Sequence, residues 1–174
     1  MNSFSMLMRN HGLRSLVLAL AFVALSSGWI RAAQTKSAPD VALQNAEGTT
    51  LRLSSYNGKV VLVDFWASWC VSCRRSFPAL DTIYGDYRAR GLEVVAVNLD
   101  EKRRDADAFL DRYPHHLTVL FDPTALSAVK FGVKAMPTSF LIDKTGTIRF
   151  THVGYSGDVA ETYRREIAQL LAEH

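Results

Sequence analysis

The chain has two cysteines, Cys70 and Cys73, and their spacing is the first feature able to do chemistry. Residues three apart lie on one face of a helix, within reach of a disulfide. The nucleophile in thiol–disulfide exchange is the thiolate. A helix N-terminus stabilises an adjacent anion by ~0.3–1 kcal/mol, and by up to ~2 kcal/mol when partly buried. A thiol at that position is therefore pulled below its usual pKa. This reading makes Cys70 the attacking thiol, solvent-accessible at the helix start, and Cys73 the buried resolving thiol one turn further in. Three other uses of the pair are weaker. A disulfide closing about four residues adds only ~2 kcal/mol of chain constraint. Zinc needs two further ligands, and the chain offers only His115 and His116 with no second C-x-x-C. Two cysteines can also fall three apart by chance.

Asp64 is the second candidate. It stands inside the apolar run Val60–Trp66, where a carboxylate contradicts its surroundings and points to a function. Burial there raises its pKa above the ordinary carboxylate range, which suits a proton-handling role toward Cys73; the alternative is a strand-edge carboxylate facing solvent. Trp66 and Trp69 flank the site, with Trp66 equally suited to plain core.

Around these residues, Val60–Trp66 reads as a central strand buried on both faces. Phe77, Leu80, Ile83, Tyr84 and Tyr87 recur at helical spacing after the cysteines, and Gly91 ends that helix. Leu92–Asn98 and Leu117–Phe121 read as further strands, separated by a helix over Asp105–Tyr113 that Pro114 stops. Asp122 and Pro123 open a short helix to Phe131. Ser139–Asp143 and Ile148–Val153 form a hairpin through Lys144–Gly146. Asp158 and Glu161 predict a capping box for a last helix carrying Val159, Tyr163, Ile167, Leu170 and Leu171 on one stripe. Val41–Gln44 and Thr50–Leu53 predict an N-terminal hairpin. The order of elements gives an α/β sandwich with a mixed central sheet flanked by helices.

Residues 1–33 have the layout of a secretory signal or an N-terminal membrane anchor. Arg9 and Arg14 precede an apolar run from Leu16, and small residues follow at Ser26, Ser27, Gly28, Ala32 and Ala33. The run falls short of the ~20 residues that span a bilayer, which favours cleavage. Residues 34–40 read as a flexible connector, and residues 41–174 as one domain. The segment 1–33 contributes three arginines and no acid, which accounts for the whole excess of 20 Lys and Arg over 17 Asp and Glu. The remainder is neutral, so nucleic acid has little support as a partner.

The motif in its setting resembles the thioredoxin superfamily and, within it, the TlpA/ResA-like branch of exported thioredoxins. Val63 through Cys73 match the family's active-site signature, Pro78 follows the second cysteine by five residues, and Met136-Pro137-Thr138 match its cis-proline loop. The segment between Asp100 and Lys134 resembles the branch's central strand–helix insertion, and the hairpin before Val60 is typical of it too. The resemblance implies a thioredoxin fold. It implies a cis bond before Pro137 and a substrate-binding surface of Trp69, Met136, Pro137 and Thr138, with the Met136 backbone pairing to an extended client strand. It makes Asp64 the family's buried acid, and the redox-active disulfide Cys70–Cys73 the only cofactor, with no metal.

The activity implied is an exported, periplasmic reductase of protein disulfides, serving cytochrome c maturation or a copper-site protein. Its electron donor would be a membrane-embedded thiol protein of the DsbD/CcdA type. A disulfide-forming oxidase is the alternative in the same class, and a copper-binding, metal-delivery module the alternative from another. A thiol peroxidase fits less well, because Trp69 rather than a Pro/Thr-rich approach precedes Cys70. Two departures stand out. Ser72 occupies a position where many family members have Pro, and Ala96 falls where thioredoxins often carry a lysine beside the buried acid.

Overall fold

A computed structural model describes residues 36–173, so the expected leader lies outside the described residues. Eight strands form one mixed sheet: β1 (Lys36–Ser37), β2 (Ala42–Gln44), β3 (Thr50–Arg52), β4 (Val60–Trp66), β5 (Leu92–Asn98), β6 (Thr118–Phe121), β7 (Thr138–Ile142) and β8 (Thr147–Val153). Their order across the sheet is β1-β8-β7-β4-β5-β6-β2-β3. β4, β5 and β6 run parallel, and every other pairing is antiparallel. Among the described residues, four α-helices accompany them: α1 (Cys73–Tyr87), α2 (Arg103–Leu110), α3 (Leu126–Phe131) and α4 (Val159–Ala172). This is the thioredoxin-like architecture, with the expected hairpin as β2–β3 and the insertion as α2, β6 and α3.

All residues of β4 and β5 are buried, as the mainly apolar strands of a parallel centre require. Their side chains alternate between two cores. One face carries Val60, Leu62 and Trp66 against Cys73, Phe77, Leu80 and Ile83 of α1, Phe109 of α2, and Tyr163, Ile167 and Leu170 of α4. The other carries Val61, Val63 and Phe65 against Ala128 and Phe131 of α3 and Phe140 and Ile142 of β7.

Two local readings differ from the structure. The segment expected as a flexible connector is tied down: β1 pairs with β8, the Ala38 amide donates to the Gly146 carbonyl at 2.9 Å, and the Asp40 carboxylate accepts from the Ser54 amide at 3.0 Å. The edge of β8 offers unpaired backbone groups, and even a polar segment satisfies its own by joining it. The capping box does not form. Asp158 stands at the N-cap of α4 with helical backbone angles and makes no side-chain cap; capping needs an extended residue there. Glu161 instead reaches Arg164 at 3.8 Å.

Candidate active site

β4 ends at Trp66, and the chain turns through residues 67–72 before α1 begins. Asp100 fixes that turn. Its carboxylate accepts from the Ser68 amide at 2.9 Å, the Ser68 hydroxyl at 2.8 Å and the Asn98 side chain at 2.7 Å. The turn therefore hangs from the end of β5, and Cys70 and Cys73 follow from it.

The two cysteines form a disulfide with Cα atoms 5.3 Å apart. Cys73 is the first residue of α1 and Cys70 lies ahead of the helix, a shift from the expected placement of Cys70 at the helix start. The Cys70 sulfur nevertheless accepts the Cys73 backbone amide, N···Sγ 3.2 Å. That amide is one of the orphan donors at a helix N-terminus, and it favours negative charge on Cys70 once the disulfide is reduced. Exposure corrects a second expectation. Cys70 is 5% exposed and Cys73 fully buried, so the order is as expected but Cys70 is not open to solvent. Its sulfur packs into the same cluster as Trp66 and Phe77. What is exposed is the rim, Trp69 at 64% and Val71 at 71%.

The Met136–Pro137 peptide is cis, and the loop carrying it is pinned at several points. The Pro137 carbonyl accepts the Gly154 amide at 2.7 Å, and the Thr138 hydroxyl donates to the Ala135 carbonyl at 2.7 Å. Ser72 links this loop to the cysteines, its hydroxyl 3.5 Å from the Met136 carbonyl oxygen and 3.6 Å from the Cys70 sulfur. Met136 is half-buried, while Pro137 and Thr138 are buried.

Asp64 lies on β4 with no exposed surface, opposite Ala96 on β5 and Ser139 on β7. The Ser139 hydroxyl donates to its Oδ1 at 2.5 Å and lies 2.9 Å from the Tyr163 hydroxyl, and Oδ2 has no hydrogen-bond partner. Burial pushes the Asp64 carboxyl up to about 7, with the Ser139 hydrogen bond pulling the other way. Tyr163 is held well above its ordinary value, by burial first and then by the neighbouring Asp64 charge. Trp66 is core: fully buried, with its ring tilted against Phe77 and Phe109 at 5.0 and 4.6 Å.

Ser139 and Tyr163 were not singled out from the sequence. The available signal was a serine inside the apolar strand Ser139–Asp143, inconsistent in the same way as Asp64. The two histidines go elsewhere: His115 packs edge-on against Phe77, and His116 contacts Asp81. Among the described residues no group of three or more His, Cys, Asp or Glu is placed to hold a metal ion.

Residues 35–151 match the AhpC/TSA family. Over 113 residues the chain is 35% identical to a thiol-disulfide oxidoreductase ResA from Geobacillus thermodenitrificans, covering 65% of this chain and 65% of that relative's length. It is 35% identical over 122 residues to the thioredoxin-like protein YneN of Bacillus subtilis, covering 68% of this chain and 71% of the other. A Chlorobium tepidum structure described as a thiol:disulfide interchange protein DsbE superposes with a TM-score of 0.77 at 45% identity, over 79% of this chain and 97% of that one.

Proposed function

The chain belongs to the AhpC/TSA family of thioredoxin-like proteins, and from that membership we propose that it is an exported thiol–disulfide oxidoreductase that reduces protein disulfides. The observation that carries the proposal is the Cys70–Cys73 disulfide, held ahead of a helix N-terminus and beside a cis-proline loop. In the reduced protein the Cys70 thiolate attacks one sulfur of a client disulfide. A Cys70–client bond forms, the client S–S bond breaks, and one client thiolate leaves. Cys73 then attacks the Cys70 sulfur, restoring Cys70–Cys73 and releasing the second client thiolate. Two electrons pass to the client, and two thiols of this chain become one disulfide.

Asp64 acts in the second step as the base that takes the Cys73 proton. A carboxyl near pH 7 has the proton affinity that such a transfer requires. Trp69 and Val71 form the exposed rim that meets the client, and Met136 offers backbone groups to an extended client strand beside Pro137 and Thr138. The leader-like residues 1–33 support export to the periplasm. Export in turn calls for a membrane-embedded thiol donor of the DsbD/CcdA type, with cytochrome c maturation or copper-site proteins as client classes.

Cys73→Ser tests the assignment. With the resolving thiol gone, dithiothreitol-sensitive adducts should accumulate on Cys70, and mass spectrometry of the partners names the client class. Absence of adducts on Cys70 would remove its role as nucleophile. Direction is read separately by trapping thiols in intact cells: a mostly reduced pair supports the reductase, and a mostly oxidised pair the oxidase. Copper titration of the reduced protein, set beside insulin reduction, separates either from a metal-delivery module.

A further inference from the structure

Asp64 belongs to a run of three buried polar groups drawn from three elements: Asp64 of β4, Ser139 of β7 and Tyr163 of α4, none more than 1% exposed. Ser139 is the link. Its oxygen lies 2.5 Å from Asp64 Oδ1 and 2.9 Å from the Tyr163 hydroxyl, yet it has one proton to give. An ionised Asp64 can only accept, so Ser139 donates to it and Tyr163 donates to Ser139. An Asp64 protonated on Oδ1 can donate, and the order then reverses: Asp64 gives to Ser139, and Ser139 gives to Tyr163. Oδ1 keeps a hydrogen bond in both states without any heavy atom moving.

The surroundings leave this task to the hydroxyls. Across the sheet on β5 stands Ala96 rather than a cation. α1 contributes Cys73, locked in the disulfide. α4 contributes Glu166, which is engaged by His152 of β8 at 2.7 Å, and the His152 ring lies edge-on to Tyr163 at 4.8 Å. Tyr155, beyond β8, is half-buried near Tyr163, with Arg75 and Arg164 acting on it. None of these charged groups makes a hydrogen bond or ion pair to Asp64.

We propose that Ser139 and Tyr163 are positioning residues for the exchange reaction, forming a hydroxyl chain that reverses its direction each time Asp64 gains or loses a proton. The proposal rests on the reading of Asp64 as the acid–base group and adds how one buried carboxyl is served in both of its states.

The test is carboxyl titration in the oxidised full-length protein, followed by ¹³C NMR or infrared difference spectroscopy and assigned with Asp64→Asn. Loss of a donor disfavours the ionised form. Ser139→Ala should raise the Asp64 midpoint by about one pH unit or more, Tyr163→Phe by less, and Ser139→Thr should restore it. Tyr163→Phe keeps the ring and its packing, so it reads the hydroxyl even if Ser139→Ala fails to fold. An unmoved midpoint in Tyr163→Phe together with no effect or no rescue at position 139 overturns the proposal. Single-turnover resolution of a mixed disulfide across pH 5–9 reads the premise separately. If the midpoint moves and the kinetic profile does not, the hydroxyl chain stands and the acid–base role of Asp64 falls.

Discussion

One strand, β4, divides its residues between two faces of the sheet, and the faces are built for opposite ends. Val61, Val63 and Phe65 point to a side that holds hydrocarbon and aromatic rings, with Phe65, Phe131 and Phe140 centred 5.0–5.9 Å from one another. Val60, Leu62 and Trp66 point to the other, which also holds the disulfide, and Asp64 lies in line with them. The first face maximises apolar burial and carries no group that must change state. The second accepts a buried carboxyl whose ionisation is costly. Alternation along a strand thus lets one seven-residue segment present one purely apolar face and a second face that combines core packing with chemistry, because adjacent side chains point to opposite sides.

The sharpest way to break this division is to remove the chemistry and ask whether the packing notices. Cys70→Ala should abolish reduction of insulin disulfides while leaving a cooperatively folded protein, since the short disulfide loop contributes only about 2 kcal/mol of chain constraint. Thermal unfolding and the insulin assay on one preparation check both halves. Residual turnover, or a chain that does not fold, would show that the two faces are not separable.

The converse substitution sits on the other face. Phe65→Ala removes a fully buried ring from the aromatic cluster and should cost about 3–5 kcal/mol of stability, as large-to-small core changes do. The folded fraction should keep wild-type exchange rates, measured at a temperature well below its midpoint. A protein as stable as wild type, or one folded but slow in exchange, would contradict the assignment of this face to packing alone.

What the sequence revealed follows the same line. The central strands were legible because seven consecutive buried residues leave an almost unbroken apolar run, and the cysteine pair because its spacing is local. Asp64 stood out as an acid in hydrocarbon. Its partners did not, because Ser139 is 75 positions away and Tyr163 occupies a place on a helical stripe where any apolar residue would serve as well. Hydrogen bonds across the sheet depend on register, and register emerges only when the strands pair. The connector differs from expectation for a related reason: residues 36–40, Lys-Ser-Ala-Pro-Asp, carry no apolar run, and nothing local in them announces the free edge of β8 that they join. Cys70 was expected in the open because the order of the two cysteines was clear, whereas the depth of the groove around them is set by distant segments.

The finest comparison between the faces is electrostatic, and it turns on the sign of a pH dependence. In the folded protein Asp64 titrates at about 7, against 3.8 for an unburied aspartate. Between those values the folded chain keeps a proton that the unfolded chain has released, so stability falls as pH rises from about 4 to about 7 and levels off above. At about 1.4 kcal/mol per pH unit the full fall is on the order of 4 kcal/mol. Asp64→Asn removes the ionisation and keeps the shape, though the amide replaces a hydrogen bond tuned to a carboxylate. The gap between variant and wild type therefore changes by that same ~4 kcal/mol across the range: with the amide costing about 1–2 kcal/mol, the variant is less stable by about that much near pH 4 and more stable by about 2–3 kcal/mol at pH 8. Urea unfolding of wild type and variant at each pH gives the two curves. They should cross between acid and neutral pH, with the variant below wild type near pH 4 and above it at pH 8. Parallel curves, or a variant less stable at pH 8, would mean that Asp64 is solvated in the folded state, and that both faces of β4 are plain core.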